Sequence, residues 1–251
     1  MRINNPNLNL AVMAVRRVSR RLARDFVEIR QLQLSVKGSR GFAQRARDSA
    51  EREIVGELHE AKPNYGLICP QAEAIAGADP TRSWAINVLD GFENFSRGVP
   101  RWGMSVTLLQ KGQPVMSLIH DVTENEMFIS VPGEGSWMND TRIRASNKSR
   151  LSDFLAVTDE ATLNRGISRD FSGPLKSARV MGAVSLDLAN LSCGRLDGFW
   201  SEAVNLGDLP AAELLLSEAG GLIESISESG IVAAGNEGFG EFSAHVRRNS
   251  S

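Results

Sequence analysis

The sequence predicts an α/β protein of the mixed, α+β kind, and three features carry that expectation. Near the start, residues 8–29 repeat apolar side chains at helical spacing. From residue 102 to 131 the pattern changes to short alternating runs separated by tight turns, which is strand chemistry. Beyond residue 185, helical and strand-like runs follow one another again. With 251 residues, 42% of them hydrophobic, the chain is long enough for one large domain or two intimately packed ones.

The first helix places Leu10, Met13, Ala14, Val18, Leu22, Phe26 and Ile29 on one side, with Arg16, Arg17, Arg20, Arg21 and Arg24 mostly on the other. Its basic face is either a solvated surface or a landing face for an acidic partner or RNA. Residues 31–36 read as a short extended piece broken by Gly38 and Gly41, and a second helix is expected over 43–61. That helix turns Ala50, Ile54 and Leu58 inward and stops before Pro63. Residues 65–69 read as a buried strand ended by Pro70, and Asp79-Pro80 marks a loop. The apolar run 84–89 reads as a strand buried on both faces. Asp90-Gly91 follows it directly and is either a hairpin turn or helix cap, or a carboxylate held at a strand end to meet a ligand.

Strands over 104–109, 115–120 and 126–131, the first two joined by a Lys111-Gly112-Gln113 turn, predict an antiparallel meander. Later, 185–193 reads as a helix, 196–200 as a strand and 208–219 as a helix stopped by Gly220-Gly221. Residues 244–251 are expected to fray.

Composition narrows the function classes. No apolar run reaches the roughly 18 residues of a membrane span, and the first apolar patch runs straight into arginines, unlike a signal peptide. The expectation is a soluble, cytoplasmic protein that does not bind membranes. A net charge of −2 creates no global field that would select nucleic acid. Cys69 and Cys193 lack metal-type spacing and read as free thiols, and His59, His120 and His245 fall outside any ligand cluster.

Several stretches carry a family resemblance. Trp84-Ala-Ile-Asn-Val-Leu-Asp-Gly-Phe-Glu-Asn-Phe95 resembles the W-x-I-D-P-L-D-G-T-x-N-F signature of the inositol monophosphatase family, in its bacterial SuhB-like branch. Gly207-Asp-Leu-Pro-Ala-Ala-Glu-Leu-Leu-Leu-Ser-Glu-Ala-Gly-Gly-Leu-Ile223 is similar to the family's W-D-x-A-A-G-x-x-L-x-x-E-A-G-G. Between them, Gly133-Glu-Gly-Ser-Trp-Met-Asn139 resembles G-x-G-A-F-x-N, while Leu186-Asp-Leu and Gly194-Arg-Leu-Asp-Gly-Phe-Trp200 resemble the segment before the second motif. Two long motifs in order, about 120 residues apart, make chance agreement remote. The resemblance implies a layered αβαβα sandwich with its site between two halves, 1–148 and 149–251, the second opening with a new sheet in residues 149–158. It also implies that the piece 164–174 is trimmed relative to the family.

The activity implied is a Mg2+-dependent phosphomonoesterase of inositol or sugar phosphates, in which clustered carboxylates hold the ions that screen the phosphate and activate water. Carried over one position at a time, the resemblance keeps Asp90 and Asp208 as metal ligands, with Leu89 beside Asp90 as a third metal position. Other positions depart. The family's Glu-Glu pair falls on Pro70 and Gln71, the first aspartate of its D-P-L-D-G has become Asn87, and the water-positioning threonine has become Phe92. Its partner aspartate falls on Arg47, or on Asp48 if the register slips by one. Substrate contacts fall on Gly91, Gly182, Ala183, Ser201 and Glu202.

Two unit charges about 4 Å apart exchange about 4 kcal/mol at an effective dielectric of about 20, so losing two carboxylates weakens Mg2+ by several powers of ten. Arg47 adds repulsion unless it pairs with Asp90 or Asp208, receives a phosphate in place of metal, or turns to solvent. Three functions stay open. The chain is a family member with lost or strongly reduced phosphatase activity, an active phosphatase with substitutes such as Glu73, Asp48 or Glu202, or a non-catalytic partner of RNA or transcription machinery. The resemblance further implies a homodimer and a phosphorylated small-molecule ligand.

Overall fold

The computed structural model describes residues 5–32, 36–70, 74–164, 174–204 and 209–249. Helix α1, Pro6–Leu32, starts where Asn5 caps it, accepting the backbone N–H groups of Asn7 and Leu8 at 3.0 and 3.1 Å, with Pro6 in the first turn. Its buried stripe runs Leu8, Ala11, Val15, Val18, Leu22, Ile29. Met13 was expected on that stripe but is 63% exposed. It lies two positions from Val15, about 200° round the helix, and therefore on the opposite side.

Helix α2, Val36–Ala61, packs antiparallel on α1 with Ala50, Ile54 and Leu58 fully buried, as expected. It also runs through Gly38 and Gly41, correcting both the expected start at 43 and the expected break. Arg17 and Arg21 of α1 pair with Glu57 and Glu53 of α2 at 3.1 and 2.6 Å, so part of the basic face is neutralised within the hairpin.

The first sheet has seven strands in sequence order, β1 (Tyr65–Ile68), β2 (Asp79–Asp90), β3 (Gly103–Gln110), β4 (Gln113–Asp121), β5 (Glu126–Val131), β6 (Gly135–Met138) and β7 (Thr141–Arg142). β1 and β2 are parallel; every later pair is antiparallel, so the expected three-strand meander is extended by β2 on one side and by β6 and β7 on the other. β2 begins at Asp79, where a loop was expected. It is also not buried on both faces: Trp84, Ile86 and Val88 are buried, while Ala85 and Asn87 between them are only half-buried. Short helix α3, Phe92–Arg97, follows.

After a single 3-10 turn at Leu151–Asp153, the second sheet takes β8 (Leu155–Thr158), β9 (Ser177–Val180), β10 (Gly198–Ser201), β11 (Gly221–Ser227) and β12 (Gly230–Gly235) in the order β11-β12-β10-β8-β9. Helices α4 (Glu160–Asn164), α5 (Val184–Ser192), α6 (Pro210–Glu218) and α7 (Asn236–Asn249) complete the chain. The predicted helix over 208–219 starts at Pro210, and residues 165–173, where a trimmed piece was expected, lie outside the described residues. The expected fraying from 244 is corrected: α7 runs to Asn249 and buries Phe239, Phe242 and Val246 against the second sheet.

The layers are α1 and α2, the first sheet, α5 and α6, the second sheet, then α7, an αβαβα sandwich with three apolar clusters: one under α1 and α2, one around α5 and α6 that reaches both sheets, and one under α7. Among the described residues, no helix is long and apolar enough to cross a membrane, and Cys69 and Cys193 are free thiols.

Two contacts fasten the sequence around α3. Phe95 meets Trp102 edge-on at 4.9 Å between ring centroids, and Phe26 of α1 closes the cluster at 5.6 and 5.4 Å. Arg101 donates to Asp187 of α5 at 2.5 Å. Asp187 is almost wholly buried and its other carboxylate oxygen has no hydrogen-bond partner. Burial pushes its carboxyl up to about 7, against the opposing pull of the Arg101 guanidinium.

Phe95→Ala is expected to cost about 3–5 kcal/mol in chemical denaturation, whereas Met13→Ala should stay within about 0.5 kcal/mol. For Asp187 the folded chain holds a proton that the unfolded chain releases near 3.8. Its contribution is therefore complete below about 4 and lost as pH rises through about 7. Melting temperature measured against pH should fall across that window, and Asp187→Asn should remove that part of the slope.

Candidate functional site

The site is built where β2 ends. Pairing of β2 with β3 carries an extra residue between Asn87, opposite Ser105, and Asp90, opposite Gly103. The bulge breaks strand alternation, so Val88 and Leu89 are both buried while Asn87 and Asp90, three apart, are both half-exposed. This is how a D-x-x-D spacing on a strand can turn both side chains to one cleft.

Gly91 then adopts a left-handed φ of 80°. A side chain there would meet the Arg101 carbonyl oxygen at 2.7 Å and Ala183 at 3.2 Å, so glycine is required for the first sheet's end to approach α5. Of the two bland readings, the helix cap is the one seen, since Gly91 is the residue before α3.

The Asp90 carboxylate accepts the backbone N–H of Ser185 at 2.6 Å, at the start of α5. The Ser185 hydroxyl and the N–H groups of Leu186 and Gly91 also act on it. Burial raises the Asp90 carboxyl above the ordinary carboxylate value, and these donors hold it down. Asp90 therefore sits at the positive end of a helix, which stabilises its charge without a cation. Gly182, with φ 75°, leaves room for Asn94, whose amide bridges the carbonyls of Arg101 and Met181 at 2.9 and 2.8 Å. Ala183 is buried at the head of α5.

Arg47 does not pair with Asp90. Its guanidinium carbon lies 5.0 Å from the centre of the Phe92 ring, and its one ion pair among the described residues is with neighbouring Asp48 at 3.8 Å. Arg40, two turns earlier on α2, stacks over the same ring at 5.3 Å and pairs with Glu93 at 2.5 Å. Asp48 is half-exposed and accepts from Gln44 at 2.7 Å within its own helix, so Arg47 is the residue α2 turns toward the motif. The Arg47 Nε–H is buried and has no hydrogen-bond acceptor.

Asn87 accepts the N–H of Leu89 at 3.3 Å, which turns its amide oxygen back onto its own strand. Beside it is a cavity of about 130 Å3 whose lining includes Ile68, Pro70, Asn87, Ser105, Thr107 and Pro210. Its oxygen donors are neutral. Ser201 is fully buried and accepts from the N–H of Ala203, and Glu202 is fixed through its N–H to Thr162, so neither stands beside the Asn87 cavity. Gln71, Glu73, Gly207 and Asp208 lie outside the described residues.

Divalent magnesium calls for several charged oxygens. Among the described residues no group of three or more His, Cys, Asp or Glu side chains could hold a metal ion. The donor set that is described does not fit the family's ions.

Sequence reasoning missed Arg40, Arg101, Ser185 and Asp187. Asp187 stood inside a quoted motif but carried no assigned role, and Arg40 and Arg101 had no local signal. Ser185 acts through its backbone, which no side-chain pattern reveals.

The whole chain was compared with known proteins. Residues 4–245 match the profile described as the inositol monophosphatase family. An inositol-1-monophosphatase from Rhizobium meliloti is 36% identical over 243 residues, 92% of this chain and 91% of that protein. A protein named Nus factor SuhB from Pasteurella multocida is 29% identical over 226 residues, 87% of this chain and 85% of that one. The native crystal structure of extragenic suppressor protein suhB from Bartonella henselae superposes with a TM-score of 0.86 at 28% identity, covering 97% of this chain and 99% of that one. Profile, sequence and fold agree over nearly the full length, and the chain belongs to the inositol monophosphatase family, in its SuhB-like branch.

Proposed function

We propose that this chain keeps the fold and cleft of a phosphomonoesterase of inositol or sugar phosphates while having lost most or all of that activity. One observation carries the reading: the cavity beside Asn87 offers neutral oxygens, and Asp90, three residues along the same strand, is already bound by the head of α5. The replacement of a water-positioning threonine and its carboxylate partner by Phe92 and Arg47 supports the same conclusion, because a stacked ring and guanidinium cannot take a proton from water. The Arg47 guanidinium, stacked on Phe92, brings positive charge to the place where the resemblance puts an acidic partner, which disfavours a cation at this end of the cleft.

A second reading is favoured by the relatives named Nus factor SuhB: association with RNA or transcription machinery, without catalysis. Arg20 and Arg24 are exposed on α1, and Arg17 is only partly occupied by Glu57. This role is compatible with the first, since it needs no metal.

Hydrolysis of inositol 1-phosphate at millimolar Mg2+ should run well below about 1 per second, the low end of ordinary enzyme turnover. A rate at or above that value, or two well-occupied Mn2+ peaks beside Asp90 in soaked crystals, would overturn the proposal. Restoring two carboxylates with Pro70→Glu and Asn87→Asp should tighten Mg2+ at least tenfold, about 1.4 kcal/mol, by calorimetry. For the second reading, reversing Arg17, Arg20 and Arg24 to glutamate should abolish capture of RNA or transcription proteins; capture that survives removes the α1 face as the binding surface.

A further inference from the structure

Helix α1 lies in the outermost layer beyond the first sheet, and its buried side packs on α2, α3, β3 and β4. Its opposite side has a repeat of its own. Met13, Arg20 and Val27 follow one another at seven-residue intervals, with Arg17 and Arg24 four places after the first two. All five are exposed, Met13 by 63% and Val27 by 54%. At about 100° per residue these side chains leave the helix within an arc of about 80°, along about 21 Å of its length. A seven-residue repeat with flanking charges is the seam a helix offers to another helix.

Charge narrows what the seam can meet. The helix carries six arginines against Asp25 and Glu28, in a chain whose net charge is −2. Arg17 and Arg21 are paired with Glu57 and Glu53, and Arg16 lies beside Asp140. Arg20 and Arg24 have no ion pair among the described residues. The Nε–H of Arg20 donates to the Arg16 carbonyl at 3.0 Å, which lays that side chain back along the helix. A second copy of this chain does not fit, because two such seams face to face set arginine against arginine. RNA fits less well for another reason. Sites for single strands stack bases on aromatic rings, and the one aromatic residue of α1, Phe26, is buried. Met13 and Val27 offer nothing to a phosphate.

We propose, resting on the second reading of function and sharing its basic face, that the outer seam of α1 docks an acidic amphipathic helix of a protein partner. Two apolar residues of that helix, roughly fourteen apart, cover Met13 and Val27, and acidic residues between them meet Arg17, Arg20 and Arg24. The apolar contacts at the two ends supply affinity. Arg20, a charge in the middle of an apolar repeat, fixes the register, because a slipped partner leaves it against a carbon side chain. The interface is small and charged, so the complex is transient and weakens with salt.

The test uses the full chain and two probes, read by fluorescence anisotropy. One is a synthetic helical peptide of about three heptads, with leucines placed for Met13 and Val27 and glutamates placed for the three arginines. The other is a single-stranded oligouridylate of about twelve nucleotides. The peptide should bind saturably. Met13→Ser and Val27→Ser, exposed changes that leave the buried stripe of α1 intact, should each weaken it at least threefold, and Arg20→Glu at least tenfold. Failure of the peptide to saturate overturns the proposal, as does an affinity that both serine substitutions leave unchanged. Oligouridylate bound through Arg20 and indifferent to both serine substitutions, with the peptide ignored, overturns it in favour of RNA and leaves the second reading in place. Arg20→Glu without effect on either probe removes both.

Discussion

The bond from the Ser185 N–H to the Asp90 carboxylate is the constraint on which the cleft depends. It joins the end of a strand in the first sheet to the head of a helix lying between the two sheets, across 95 positions of sequence. Everything nearby is arranged to permit it. The bulge in β2 turns Asp90 to the cleft, Gly91 removes the side chain that would strike Arg101, and Asn94 and Gly182 lock the loop before α5. Arg101 and Asp187 repeat the join two residues further along the helix. A carboxylate at a helix N-terminus is a stable electrostatic arrangement in its own right, so the architecture holds without a cation.

The departures from the family pattern form one physical substitution rather than scattered losses. Where the family's resemblance implies a threonine and an acidic partner, this chain has an aromatic ring and a guanidinium stacked at 5.0 Å, with a second guanidinium at 5.3 Å on the same ring. Such contacts contribute about 0.5–1 kcal/mol each at partly exposed sites. Each guanidinium also keeps a carboxylate partner, Glu93 for Arg40 and Asp48 for Arg47. Asn87 and Pro70 are neutral where the resemblance implies carboxylates, so these two positions add no negative charge to the cleft.

Much of the fold was legible because periodicity survives in this sequence: the amphipathic face of α1, the meander, and α5 and α6 follow from local pattern alone. The failures have identifiable causes. Gly38 and Gly41 each cost a helix up to about 1 kcal/mol, yet α2 continues through them because Ala43, Ala46 and Ala50 bury against the core. The terminal helix seemed set to fray because position in sequence was weighed above the burial of Phe239, Phe242 and Val246. At the site, the identity of each changed residue was readable, but not what replaced its interaction. Arg47 was weighed by charge against Asp90, whereas the structure uses its flat face against Phe92. Asp90 itself was weighed as a ligand for an ion, while the donors it meets come from a backbone that no residue pattern announces.

The energetics of the cleft follow from these pairings. A constellation of carboxylates arranged for magnesium is self-repelling when the ions are absent, and active sites carry such strain as a cost to stability. Among the described residues, one place where the resemblance implies an acid is proline, one is an amide folded onto its own strand, and Asp90 is capped by α5. Removing a carboxylate from such a constellation relieves that repulsion and lowers the attraction for cations, so one change has both effects. The head of α5 is already occupied by the Asp90 carboxylate, and the Arg47 guanidinium lies against Phe92 with Asp48 as its ion-pair partner. The described part of the cleft therefore balances its charges within the frame, strand carboxylate against helix terminus and guanidinium against ring and carboxylate.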